Sequence, residues 1–263
     1  MLKRYLFTLV ISVVGALAAS AQYDMSLSHY FAQEPVFNPA AVGKESKLNV
    51  TGSYALDFAG FEHNPRTMIV AADMPLFMLK HYHGVGVQMT SDKLGLFDHQ
   101  RFAVQYALKT KLLGGMLGIG VQVGMLSEKF NGSQTDTEEG NDPAIPTTDV
   151  SGSGLDVGVG LYYVHGDWYA GASVAHATAP QVTLGDSYLL DIDRTYYLTG
   201  GYNIKLRNPF ITIKPTVLLR SDGSAFRADI TSRVVYTHDK RMLYGGVTYS
   251  PSNSVTVLVG GRF

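Results

Sequence analysis

From Lys47 onward, apolar residues alternate with small or polar ones at a period of two, in twelve segments of about 9–12 residues each. Period two is the period of a β-strand, whose successive side chains point to opposite faces. The segments are Lys47–Asp57, Pro65–Leu76, Tyr82–Ser91, Asp98–Thr110, Gly115–Ser127, Gly154–Val164, Asp167–Ala175, Asp193–Ile204, Phe210–Arg220, Ala225–Thr237, Arg241–Ser250 and Ser254–Phe263. In the fourth, Phe102, Val104, Tyr106 and Leu108 oppose Ala103, Gln105, Ala107 and Lys109. In the fifth, Leu117, Ile119, Val121, Val123 and Met125 oppose Gly118, Gly120, Gln122 and Gly124. No segment holds a 3.6-residue period over a helical length. About ten residues is what a tilted strand needs to cross a bilayer.

The connections sort by parity. Even-numbered ones are short (Phe77–His81, Lys111–Gly114, His165–Gly166, Lys205–Pro209, His238–Lys240), and both long ones, Glu128–Ser153 and His176–Ile192, are odd. Short turns at one end and long loops at the other is the pattern of an outer-membrane barrel. A soluble sandwich has no reason to produce it. One parity carries Val, Ile, Leu, Phe, Tyr and Met. The other carries Gly, Ala, Gln, Thr and the charges Asp156, Lys214, Arg220, Arg227, Asp229, Arg233 and Arg262. A charge facing lipid at the midplane costs about 2–4 kcal/mol, so this second face reads as the lumen. Its many glycines point to a narrow, packed interior. An even strand count leaves both ends on the short-turn side, where the last segment can pair with the first. Phe263 then reads as the aromatic terminus of the barrel, facing lipid like Val255, Val257 and Val259.

Lys3 and Arg4 precede an apolar run from Leu6 to Ala19, and Ala19-Ser20-Ala21 forms a small-x-small site. This reads as a signal peptide over residues 1–21, too short for a membrane-spanning helix. Residues 22–46 form an N-terminal periplasmic or lumen segment, and 47–263 the barrel. There is no cysteine, hence no disulfide, thiol chemistry or lipid anchor. A net charge of −1 gives no basis for nucleic-acid binding, and charged residues make up only 16% of the chain, against roughly 25% in soluble domains.

Motifs of chemistry are weak. Gly84-Val-Gly86, Gly118-Ile-Gly120 and Gly158-Val-Gly160 resemble phosphate loops, but alternating strand continues on both sides of each where a helix N-terminus is required. His81-Tyr-His83 has no third metal ligand at a fixed spacing. The acidic stretch from Asp136 to Asp142 lacks the EF-hand spacing and reads as a solvated loop. No cofactor, metal or catalytic residue is expected. Tyr162, Tyr163, Trp168, Tyr169, Tyr196 and Tyr197 lie near strand ends and read as an interfacial girdle.

The segment Tyr30-Phe31-Ala32-Gln33-Glu34-Pro35-Val36-Phe37-Asn38-Pro39-Ala40-Ala41-Val42-Gly43 resembles the start of the PorP/SprF family, outer-membrane proteins of the type IX secretion system of Bacteroidota. Later stretches agree in order: Gly60–Thr67 leading to Met74-Pro75-Leu76, Ser91-Asp92-Lys93-Leu94-Gly95, Gly154–Tyr163, Arg194–Tyr202 and Lys214–Leu219. The resemblance implies a non-enzymatic, integral outer-membrane barrel. It would support secretion or surface attachment of adhesins or gliding proteins, with the secretion machinery, cargo C-terminal domains and outer-membrane lipid as partners. Asn38, Pro39, Ala40, Gly43, Asp92, Lys93 and Gly95 carry the family motifs and are the interaction candidates. The family pattern runs on by about a strand pair, so 12–14 strands are expected. The other barrel reading is a porin or a hydrophobic-solute channel.

Overall fold

The computed structural model describes residues 24–61, 64–134, 148–185, 188–239, 241–251 and 253–262. Twelve strands form one antiparallel sheet in chain order: β1 (Asn49–Leu56), β2 (Arg66–Met78), β3 (His81–Leu94), β4 (Phe97–Leu112), β5 (Gly115–Asn131), β6 (Asp149–His165), β7 (Trp168–Ala175), β10 (Thr195–Tyr202), β12 (Ile211–Ser221), β13 (Phe226–His238), β14 (Arg241–Ser250) and β15 (Ser254–Arg262). The strands β8 (Gln181–Leu184) and β9 (Tyr188–Asp191) pair as a separate hairpin, and β11 (Ile204–Lys205) pairs with β12. The fold is an all-β, antiparallel barrel wall of the outer-membrane type, with an up-and-down order.

One expectation is not met. Among the described residues β1 and β15 do not pair, and they form the two edges of the sheet. These edges are eight and nine residues long, against 14 to 17 in β3–β6. Short edges limit the ladder that a closing pair can form. Phe263 and the expected signal peptide, residues 1–21, lie outside the described residues.

The outward face shows why the alternation is so regular. Four register rows run across β3–β6: Met89-Phe102-Met125-Leu155, Val87-Val104-Val123-Val157, Val85-Tyr106-Val121-Val159 and His83-Leu108-Ile119-Leu161. All but one of these residues is apolar or aromatic. The exception, His83, is covered through hydrogen bonds with the Tyr106 hydroxyl (2.7 Å) and the Met78 carbonyl (3.0 Å). Toward the long loops the next outward row is Ser91-Gln100-Ser127-Ser153, and then Lys93-Asp98-Lys129-Ser151. The lipid-facing band therefore ends at a single row, and the sheet continues beyond it.

That continuation accounts for longer strands than the alternation predicts. Polar rows above the band still pair through their backbones, so β5 reaches Asn131 and β6 begins at Asp149. The stretch between Ser91 and Asp98 becomes ladder on both sides of a two-residue turn at Gly95-Leu96, where Gly95 has φ +62°. At the opposite end β2–β3 and β4–β5 also turn in two residues. Leu79 and Lys80 both take positive φ, the twist-matched hairpin geometry.

Candidate functional site in the barrel lumen

The N-terminal segment packs inside the wall. Tyr30, Phe31, Glu34, Val36, Phe37, Asn38, Ala40, Ala41 and Val42 are all buried. The segment contains three short turns, Tyr30–Ala32, Glu34–Phe37 and Pro39–Ala41. Asp24 lies beside His176, at the long-loop end of β7, while Gly43 donates to the Asp73 carboxylate (2.7 Å) in the short-turn half of β2. The segment thus descends lengthwise through the lumen before the chain enters β1.

Asn38 to Val42 lie against a groove of glycines. Asn38 Oδ1 accepts from the Ala40 amide (3.0 Å) and caps the Pro39–Ala41 turn, while its Nδ2 donates to the Leu161 carbonyl of β6 (3.0 Å). A Cβ on Gly120 would fall 2.2 Å from the Ala40 nitrogen, and one on Gly84 2.1 Å from the Val42 oxygen. One on Gly160 would fall 2.1 Å from Asn38 Oδ1, and one on Gly118 2.7 Å from the Ala40 oxygen. Gly84 of β3 and Gly118 and Gly120 of β5 therefore admit another stretch of backbone, and Gly160 of β6 admits the Asn38 side chain. Buried amides complete the contact. Gln105 donates to the Pro35 carbonyl (2.6 Å) and to Gln122 (2.9 Å), Gln88 donates to Gln122 (2.7 Å), and the Ser173 hydroxyl donates to the Phe37 carbonyl (2.7 Å).

Three of the six girdle aromatics point inward instead. Tyr162 is buried and donates to Glu34 (2.7 Å), which also holds Lys44; Tyr169 stacks on Tyr162. Tyr197 is buried, stacks on Phe37 at 5.4 Å and donates to Asp24 (2.7 Å). Their strand parity is that of the lumen, which outweighs their position near strand ends.

A charged latch holds the upper end of the segment. His176 lies between Asp24 (3.2 Å) and Asp156 (2.9 Å), and Asp156 is 3.7 Å from Arg101. Arg220 donates to the carbonyls of Asp24 (2.9 Å) and Met25 (2.5 Å). Burial opposes charge on His176, but its bonds to Asp156 and Asp24 prevail and raise its pKa from 6.5 to about 9. Burial likewise opposes charge on Asp24. The hydrogen bond and charge of His176 overcome it and hold the carboxyl well below its usual range. Another inward pair, Arg227 and Asp229, closes at 3.0 Å. These lumenal charges thus find partners, as a buried setting demands.

Above the latch, the β8–β9 hairpin folds back against the wall. Val182, Leu184 and Ile192 cluster with Leu126, and the Thr183 backbone lies over Gly152. Among the other motif residues, Asp92 accepts from the Thr67 hydroxyl, Lys93 is exposed and 3.4 Å from Asp98, and Gly95 forms the hairpin turn. These three lie at the long-loop end, far from the buried Asn38-Pro39-Ala40. Alternation marks Asp156 and Arg220 as lumenal. Arg101 shares the parity of Ala103 and Gln105 and is marked in the same way, whereas Asp24, Glu34 and His176 lie outside the alternating segments and have no sequence signal.

Replacing Asn38 with alanine removes the cap and the Leu161 bond together. It is expected to weaken docking of the segment by about 1–2 kcal/mol. Hydrogen exchange of amides in residues 24–43 measures this, and unchanged protection would contradict the role given to Asn38.

The family model described as type IX secretion system membrane protein PorP/SprF matches residues 19–263. No curated protein sequence matches the chain. Two similar solved structures are the β domain of the Bordetella autotransporter BrkA and outer membrane phospholipase A from Escherichia coli. The first is 14% identical with a TM-score of 0.40, covering 82% of this chain and 94% of that one. The second is 13% identical with a TM-score of 0.39, covering 82% and 91%. Likeness at this level carries nothing about activity.

Proposed function

The chain belongs to the PorP/SprF family of type IX secretion system membrane proteins, and from that membership we propose a non-enzymatic, integral outer-membrane scaffold. It is exported through its N-terminal signal peptide. It supports secretion or surface attachment of particular cargo proteins, such as adhesins or gliding proteins, by binding protein partners. The observation that carries this reading is the filled lumen. Residues 30–43, all but Ala32 buried, occupy the interior, and wall side chains donate to the Pro35 and Phe37 carbonyls, an arrangement suited to a rigid support and ill suited to passage of solutes.

Within this reading the family motifs divide their labour. Asn38, Pro39, Ala40 and Gly43 fix the segment to the wall. Asp92, Lys93 and Gly95 shape the long-loop end, where cargo or machinery can reach the polar rows of β3–β6. Deleting the gene is expected to leave one surface adhesin unsecreted or unattached while other outer-membrane proteins are unaffected. Normal display of every adhesin in the mutant would defeat the proposal. A porin would instead conduct in planar bilayers; the purified protein is expected to leave them sealed.

A further inference from the structure

Lys214 and Arg233 stand directly opposite each other on β12 and β13. Both face the lumen, sharing parity with buried Thr216 and Leu218 on one strand and Asp229, Thr231 and Val235 on the other. Like charges in facing positions of an antiparallel pair repel. Among the described residues neither side chain forms an ion pair. The arrangement contrasts with that of Arg101, Asp156, His176, Arg227 and Asp229, which face the lumen and are paired.

The surroundings do not supply the missing negative charge. Lys44 and Glu45 lie within electrostatic range of Lys214, and Tyr30, Tyr169, Tyr244 and Glu34 within range of Arg233. Glu34 is already held by Lys44 and the Tyr162 hydroxyl, and Glu45 is exposed. The Arg233 guanidinium lies over the Phe31 ring, 3.4 Å from its centroid, with Tyr244 at 5.9 Å. Its Nε is buried without a hydrogen-bond partner. Stacking fixes the plane of the guanidinium and leaves its N–H edge to an acceptor.

We infer that Lys214 and Arg233 bind a phosphate-type oxyanion in the short-turn half of the lumen. The placement follows from the strands: Lys214 is the fourth residue of β12 from its short-turn end, and Arg233 the sixth of β13 from its own. A planar guanidinium matches two phosphate oxygens at once, and an ammonium adds a compact second charge. A phosphate group, monoester or diester, carries at least one full negative charge and offers non-bridging oxygens to the guanidinium edge and the ammonium at once. The ligand is either a soluble phosphate monoester or inorganic phosphate, or the phosphodiester of a lipid headgroup at the membrane edge.

Calorimetry on the full chain, purified in a non-ionic detergent at constant ionic strength, tests this with inorganic phosphate as the probe. Saturable binding is expected, together with a rise in melting temperature. Lys214→Gln and Arg233→Gln should each weaken binding at least tenfold and abolish that rise. Without phosphate, Lys214→Gln should melt no lower than the parent, because a repulsion has been removed; this separates loss of the site from loss of the fold. Glycerophosphoglycerol distinguishes the sources: tighter binding than inorganic phosphate assigns a lipid headgroup, and weaker binding a soluble phosphate. No saturable binding of either probe, or equal binding by parent and variants, would overturn the inference.

Discussion

Replacing Gly120 with alanine is expected to release the N-terminal segment from the lumen. The added Cβ would fall 2.2 Å from the Ala40 nitrogen and 2.4 Å from the Pro39 carbonyl carbon. Both are backbone atoms, so no flexible side-chain end can swing aside. On the far side β5 is fixed by its ladders to β4 and β6. Overpacking a tight interior costs about 1–3 kcal/mol, and here the cost falls on a segment held by a small set of polar contacts. Protease cleavage within residues 24–43 should rise at least tenfold, and planar bilayers containing the variant should begin to conduct. Gly158 offers the control. It shares the lumenal face, yet its Cβ would meet nothing nearer than 3.4 Å, so Gly158→Ala should behave like the parent. If the two variants are alike, the glycine groove is not what holds the segment.

The latch should make the same docking depend on pH. The pKa of His176 is raised to about 9, so its contribution is complete below its ordinary value of 6.5 and is lost as pH rises through 9. Asp24 has a lowered pKa, so its contribution is present above 3.8 and is lost only as pH falls through its depressed value. Between these limits, from about pH 4 to 6.5, the segment should be held most firmly. Hydrogen exchange of residues 24–30 should accelerate steadily from pH 6.5 to 9.5, beyond the intrinsic base-catalysed rate. His176→Gln should remove that excess. Asp156→Ala strands His176 and Arg101 without their shared carboxylate. Breaking a buried ion pair typically costs about 3–5 kcal/mol, so this variant should be loosened across the whole range. An excess rate that survives His176→Gln would assign the titration to another group.

The sequence shows which residues face which way because alternation is a local property. Leu48, Val50 and Tyr54 face outward, and Gln105, Gln122 and Asp156 inward, with no knowledge of neighbouring strands. Strand ends were less legible. Ser127, Lys129 and Ser151 are polar on the outward face, which resembles a loop in sequence although the backbone ladder continues beneath them. The site was least legible of all. Gly118, Gly120 and Gly160 indicate a narrow interior, but not that the occupant is the backbone of Asn38 to Ala40. Tyr162 and Tyr197 illustrate the same limit: their rings suit a membrane interface equally well until Glu34 and Asp24, more than a hundred residues away, are placed beside them.

The single-row edge of the lipid-facing band has a consequence for reach. Hydrogen-bonded register ties Met89, Phe102, Met125 and Leu155 into one row, so the protein cannot bob in the bilayer without pulling apolar side chains of that row into water or its polar neighbours Ser91, Gln100, Ser127 and Ser153 into lipid. The six residues of β5 beyond Met125 then rise about 15 Å above Met125, given the rise and tilt of a barrel strand. A partner captured at the rim would be met at a set height, as by a fixed pedestal. A binding region on a tether too short to span that height would be excluded by geometry alone, whatever its affinity.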